Sequence, residues 1–105
     1  MDKKDALVAR ELKDKLAQVT EILDFRIFGS RACGNSQLDS DMDVFLEVPR
    51  LNEELDDKIQ HIAWETGFKH LMFISVLIFT RHEIEESPLR SSSIVKNIME
   101  EGVRV

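Results

Sequence analysis

Two acids stand one residue apart at the start of an apolar run, in the segment 28-FGSRACGNSQLDSDMDV-44. At positions i and i+2 of a strand, Asp41 and Asp43 project from the same face. Neighbouring carboxylates repel, so either this end of the strand is simply hydrated or a positive group lies between them. Two carboxylates so placed can hold one Mg²⁺ or bridge two ions, as phosphoryl and nucleotidyl transfer require. Oxygen ligands favour Mg²⁺ or Mn²⁺ over softer metals.

A Gly-Ser-Arg sequence precedes the acids, where the preceding strand breaks into a turn. Gly29 permits close approach of a ligand to the backbone. The Ser30 hydroxyl and nearby backbone N–H groups can bind phosphate oxygens, and Arg31 adds a cation. These residues predict a nucleotide site, with phosphate donors on one side and metal ligands on the other.

Other chemistry for this segment is less well supported. The acids of 39-DSDMD-43 match the first positions of a calcium-binding EF-hand loop, but Val44 replaces its glycine and Arg50 its final glutamate, which excludes that reading. Cys33 has only Arg31 as a charged neighbour in sequence, so we interpret it as incidental. The three histidines, which lack metal-ligand spacing, are His61, His70 and His82.

The chain has 105 residues, 43% hydrophobic and 32% charged, which predicts one soluble globular domain spanning residues 1–105. Its net charge of −6 argues against general nucleic-acid binding. No apolar run approaches a membrane span, no signal peptide is evident, and a single cysteine excludes an internal disulfide. We therefore expect a cytoplasmic protein.

Hydrophobic periodicity predicts the elements that would position these residues. The pattern is helix, strand, strand, helix, strand, helix, which indicates an α/β fold: a small mixed sheet with helices packed on one face. The predicted bounds are 3–20, 24–28, 43–48, 51–65, 70–80 and 92–101. The strand at 70–80 is apolar on both faces, so we expect it in the centre of the sheet.

The residues of this last strand divide between two faces. Met72, Ile74, Val76 and Ile78 would point one way. Phe73, Leu77 and Phe79 would point away from the helices, and such a patch predicts a homodimer, a hetero-complex or both.

The whole pattern resembles the DNA polymerase β-like nucleotidyltransferase superfamily. Its signature is Gly29-Ser30 followed, after ten residues, by Asp41-x-Asp43 on the next strand. The chain is similar to the minimal nucleotidyltransferase branch of this superfamily in three features. These are the sequence of residues 28–48, the short chain and the tail 87-SPLRSSSIVKNIMEEGVRV-105. The resemblance covers nearly the whole chain and implies a nucleotidyltransferase fold like the polymerase β palm.

The resemblance also implies an activity. Such enzymes transfer a nucleoside monophosphate from an NTP to an acceptor, with Asp41 and Asp43 holding Mg²⁺ and Gly29 and Ser30 holding the NTP phosphates. Minimal members are often antitoxins encoded beside a HEPN-domain toxin, and some transfer AMP from ATP to that toxin. A HEPN partner and a protein acceptor are therefore expected.

The sequence departs from the family pattern at two positions. The expected third carboxylate, on the later strand, is replaced by Ser75, which is a poor metal ligand and no general base. Glu47 shares a strand face with Asp43 but lies about 13 Å along it, too far to substitute. Cys33 stands where relatives often have arginine, so one phosphate contact is expected to be missing.

Three functions remain open from the sequence. The first is a Mg²⁺-dependent transferase acting on a HEPN toxin. The second is a non-catalytic module of the same fold that neutralises the toxin by binding it, which Ser75 favours. The third is modification of a small molecule such as an antibiotic, which would normally need an additional lobe to hold the acceptor.

Overall fold

A four-stranded mixed sheet forms the centre of the computed structural model, which describes residues 3–29, 41–86 and 93–105. The strands lie in the order β3-β2-β1-β4. β1 is antiparallel to β2 and β4, whereas β2 and β3 are parallel and are joined by a helix. The elements in chain order are α1 (Lys3–Leu16), β1 (Asp24–Phe28), β2 (Met42–Val48), α2 (Glu53–Lys69), β3 (Ile74–Thr80), α3 (Arg81–Glu86), α4 (Ser93–Glu101) and β4 (Val103–Arg104).

The main core lies between the sheet and two helices, α1 and α2. Alternate residues of β1 and β2 point into it, including Phe25, Ile27, Val44 and Leu46, all at most 2% exposed. This spacing of two is what a strand with one face against helices requires. The predicted mixed sheet is therefore confirmed, with α1 and α2 packed on this face.

The opposite face of the sheet carries α4. Arg26, which alternates with the core residues of β1, donates a hydrogen bond to the Met99 carbonyl of α4 at 2.9 Å. Asp24 accepts from Arg26 at 2.9 Å and pairs with Arg104 of β4 at 3.5 Å. α4 thus covers the β1 side of this face, a feature that periodicity did not predict.

Most helix and strand predictions are confirmed, with shifts at their ends. The predicted helix 3–20 ends at Leu16, and Val19, beyond this end, is exposed. Asn52 caps α2 by accepting a hydrogen bond from the Leu55 N–H at 2.8 Å, and the helix continues past Thr66 and Gly67 to Lys69. Helix α3 and strand β4 were not predicted.

The predicted central position of the apolar strand is wrong. β3 lies at the edge of the sheet and pairs, among the described residues, with β2 alone. Its two faces do divide as expected, since Ile74, Val76 and Ile78 join the core. Within the described chain no helix is long and apolar enough to cross a membrane.

Candidate active site

The candidate site lies at the start of β2, on the sheet face opposite α1 and α2. Met42 and Val44 are fully buried in the core, so Asp43 between them points to the other face. Its backbone partners are Phe28 on β1 and Ser75 on β3. Strand pairing therefore brings three segments, 24–29, 41–48 and 74–80, together around the Asp43 carboxylate.

Gly29 ends β1 with a φ of +77°, a conformation that other residues seldom adopt. A Cβ added at this position would lie 2.7 Å from Asp43 Oδ2. Real Cβ atoms do not approach an oxygen so closely, so any side chain at position 29 would displace the carboxylate. The ligand-binding role of Gly29 stays a prediction, and the structure shows that Gly29 makes room for Asp43.

The two carboxylates of the pair disfavour each other's charge. Burial raises the pKa of Asp43, and the neighbouring Asp41 carboxylate raises this pKa further. Asp41 immediately precedes β2 and is exposed. The two acids are thus close enough to repel each other, as their spacing predicted.

This donor set fits a hard divalent cation. Asp41 and Asp43 offer carboxylate oxygens, which Mg²⁺ prefers, and a cation between them would oppose the burial and the repulsion that together raise the pKa of Asp43. They are two ligands rather than three, because the described residues contain no group of three or more His, Cys, Asp or Glu side chains arranged to hold a metal. Mg²⁺ commonly completes its coordination with water and substrate phosphates.

Ser75 occupies the position beside Asp43 where a third acid was expected. Its Cα is the direct partner of the Asp43 Cα in the parallel pair, and its side chain is exposed on the same face. Glu47, the other acid of this strand face, lies four residues along β2 and is nearly buried. Its Oε2 pairs with Arg81 Nε at 3.4 Å, so it is engaged elsewhere.

Several residues singled out in the sequence have other places. Ser30, Arg31 and Cys33 fall outside the described residues, and the phosphate-binding role of the first two remains a prediction. His70 contacts Glu11 at 3.1 Å and His61 contacts Glu65 at 2.8 Å. The His70 contact links the end of α2 to α1, and the His61 contact lies within α2.

A mixed sheet with paired aspartates at the start of one strand and a glycine turn at the end of its neighbour fits the nucleotidyltransferase fold that the sequence led us to expect. Residues 8–105 match the model of the nucleotidyltransferase domain family. The chain therefore belongs to the nucleotidyltransferase domain family.

Two solved structures share the fold at low sequence identity. One is a toxin-antitoxin crystallised with AMP-PNP, at 17% identity and a TM-score of 0.59, covering 90% of this chain and 69% of that one. The other is a candidate nucleotidyltransferase from Sulfolobus solfataricus, at 16% identity and a TM-score of 0.50, covering 92% of this chain and 75% of that one. No curated protein matches the chain.

Proposed function

We propose that this protein is a single-domain, Mg²⁺-dependent nucleotidyltransferase that moves a nucleoside monophosphate from an NTP to a protein acceptor. The observation that carries the proposal is the Asp43 carboxylate, which β2 places beside Asp41 and for which Gly29 leaves room. Family membership supports the reaction class.

In this proposal each site residue has one task. Asp41 and Asp43 hold one Mg²⁺, with a second ion possible, while Gly29, Ser30 and Arg31 bind the NTP phosphates. The bound metal would neutralise charge on the phosphates and so favour loss of pyrophosphate. Ser75 cannot accept the proton of the attacking hydroxyl at neutral pH, so we expect slow transfer unless the acceptor protein brings an acid of its own.

We further propose that the NTP is ATP and that the acceptor is a HEPN-domain toxin, which the transferred AMP would silence in the cytoplasm. The support is indirect: a toxin-antitoxin bound to an ATP analogue shares the fold. A small domain with no lobe for an acceptor among its described residues also fits an acceptor supplied as a partner. A homodimer is compatible with this role.

A second candidate is a non-catalytic module that neutralises the toxin by covering it. The specific observation in its favour is Ser75, an exposed hydroxyl at the position beside Asp43 where an acid would complete the metal site. Such a module would bind the toxin with no need for nucleotide.

Calorimetric titration of Mg²⁺-ATP separates the two candidates. The wild type is compared with Asp41→Asn/Asp43→Asn, and a charge-matched control replaces two exposed acids far from the site, Asp14→Asn/Asp57→Asn. Metal-dependent binding that is lost in the site variant and kept in the control supports the enzyme.

A transfer assay then tests the acceptor. The protein is incubated with α-phosphate-labelled ATP, Mg²⁺ and a HEPN toxin, and label on the toxin is measured beside the toxin's ribonuclease activity. Label and silencing that both require Asp41 and Asp43 support the proposed reaction. Silencing without nucleotide, together with no Mg²⁺-NTP binding by the free protein or its complex, would establish the binding module instead.

A further inference from the structure

The exposed edge of β3 lacks the features that normally protect a sheet edge. Its seven residues, Ile74–Thr80, contain no lysine, no proline and no charge. Among the described residues only β2 pairs with this strand. A long apolar edge of this kind is a template for pairing with another strand.

The direction of the backbone groups shows which residues could pair. The Phe73 carbonyl accepts a hydrogen bond from the Met42 N–H at 2.8 Å, so the backbone of position 73 points toward β2. Backbone groups alternate sides along a strand. Ile74, Val76 and Ile78 therefore direct their backbone groups away from β2. The exposed side chain of Gln60 donates a long hydrogen bond of 3.5 Å to the Val76 carbonyl, and a paired strand would replace it.

An apolar surface continues this edge onto α2. Four of the six large apolar side chains that are exposed in the described chain gather there, namely Trp64, Phe68, Leu71 and Phe73, around a groove of about 650 Å³. Trp64 and Phe68 stack with ring centroids 5.4 Å apart. We call the β3 edge together with these four side chains the β3 edge surface.

Leu71, on this surface, has a backbone conformation that lowers the stability of the fold. It has a φ of +58° and is 89% exposed, at the turn between α2 and β3. A bulky residue rarely takes this left-handed conformation, which glycine adopts freely. The fold therefore holds an apolar side chain in solvent where glycine would be more stable, which indicates that the side chain has a partner.

The area suits a stable dimer. Three rings that are 60–76% exposed leave roughly 400 Å² of aromatic surface per copy. Two copies supply about 800 Å² from the rings alone, and a stable interface of about 1,200–2,000 Å² is somewhat more than half apolar. Leu71 and the strand itself add to this total.

We propose that the β3 edge surface binds a second copy of this chain, with β3 antiparallel to its counterpart across a two-fold axis near Val76. The sequence is compatible with itself in this register, since Ile74 would face Ile78 of the other copy and Phe73 would face Phe79. No charges within β3 would oppose one another. A helical partner fits less well, because a helix bonds its own N–H and C=O groups and cannot pair with a strand edge.

This inference does not rest on the proposed catalytic function. Asp43 lies on the inner strand β2, so a paired β3 edge leaves it in place. Loss of dimerisation and loss of nucleotide binding are therefore separate outcomes.

Sedimentation equilibrium of the full chain over a micromolar concentration range tests the association. We expect a dimer whose Kd rises at least tenfold in Phe73→Glu. A matched control is Leu7→Glu, which changes an exposed leucine of α1 outside the β3 edge surface and should leave Kd unchanged. A second variant, Leu71→Gly, separates a lost interface from a folding defect. It should raise the melting temperature of the monomer and still weaken the dimer.

Amide hydrogen exchange tests the strand pairing itself. The Val76 and Ile78 amides should be protected in the dimer and should lose protection on dilution, whereas those of Leu77 and Phe79, directed toward β2, should be protected at every concentration. A monomer at 100 µM would overturn the proposal. So would a dimer with unprotected Val76 and Ile78, or protection of these amides that is independent of concentration, which would mean that the chain covers its own edge.

Discussion

Replacing Ser75 with aspartate should convert the two-acid site into a three-acid site. Ser75 and Asp43 are direct partners across β2 and β3, and both side chains project from the same face. An aspartate at position 75 would place a third carboxylate beside the first two. Metal binding should become tighter, and the metal-free protein should become less stable.

The size of both effects follows from the strand spacing. Neighbouring strands lie about 4.8 Å apart, so the carboxylates of residues 43 and 75 would lie roughly 5 Å apart. At an effective dielectric constant of about 20, that repulsion is about 3 kcal/mol. Because position 75 is exposed, solvent reduces it to about 1 kcal/mol. Once a cation lies between the two carboxylates, both attract it. A gain of about 1.4 kcal/mol in binding free energy corresponds to a tenfold increase in metal affinity.

Mn²⁺ and Mg²⁺ titration by calorimetry measures the affinity, and thermal unfolding with and without metal measures the stability. The control is Ser75→Asn, which has similar size and no charge. We expect Ser75→Asp to bind metal about tenfold more tightly than the wild type and to show the larger gain in melting temperature on adding metal. Equal affinity in Ser75→Asp and Ser75→Asn would refute the placement of the metal between Asp43 and position 75.

Three further predictions concern groups around the site. Gly29→Ala should lower the free energy of unfolding by about 2 kcal/mol or more, measured by denaturant unfolding, because alanine disfavours the positive φ and its Cβ would meet Asp43. The same substitution should cost less in an Asp43→Ala background. Asp43→Asn should raise the metal-free melting temperature at pH 7. The pKa of Asp43 is higher in the folded chain than its ordinary 3.8, so ionisation disfavours folding, and the gain should vanish as the pH falls below about 3.8. Asp24→Asn should cost about 2 kcal/mol in the same unfolding assay, because Arg26 and Arg104 both pair with that nearly buried carboxylate, whereas unchanged stability would show that the pairs contribute nothing.

Periodicity predicted the elements well where side chains alternate between core and solvent. Val8, Leu12 and Leu16 recur at a spacing of four residues and are all buried on α1. The same reasoning failed for the position of β3. Apolar residues on both faces show that both faces are covered or await a partner, but they carry no information on whether a second strand pairs with the edge. Strand order depends on connections that a local pattern does not contain.

The sequence indicates the residue types of the candidate site but not the contacts among them. Burial raises the pKa of Asp43 most, and the Asp41 carboxylate raises this pKa further, as the spacing of the two acids predicted. The approach of Gly29 to Asp43 depends on the register that pairs Phe28 with Asp43, which the sequence does not specify. The pairing of Glu47 was not predictable either, because its partner Arg81 belongs to α3, a helix that the sequence pattern did not predict.

The stability cost at Asp43 bears on the choice between enzyme and binding module. Burial and Asp41 both raise the pKa of this carboxyl, so at neutral pH its charge opposes folding. Asparagine has almost the same shape and would remove that opposition. A module that only covers a toxin gains nothing from these local conflicts, whereas a metal site requires them, and such conflicts are expected where function overrides stability. If Asp41 and Asp43 hold a metal ion as we propose, Ser75 marks the incomplete side of that site, and we expect the acceptor protein to supply the carboxylate that completes it.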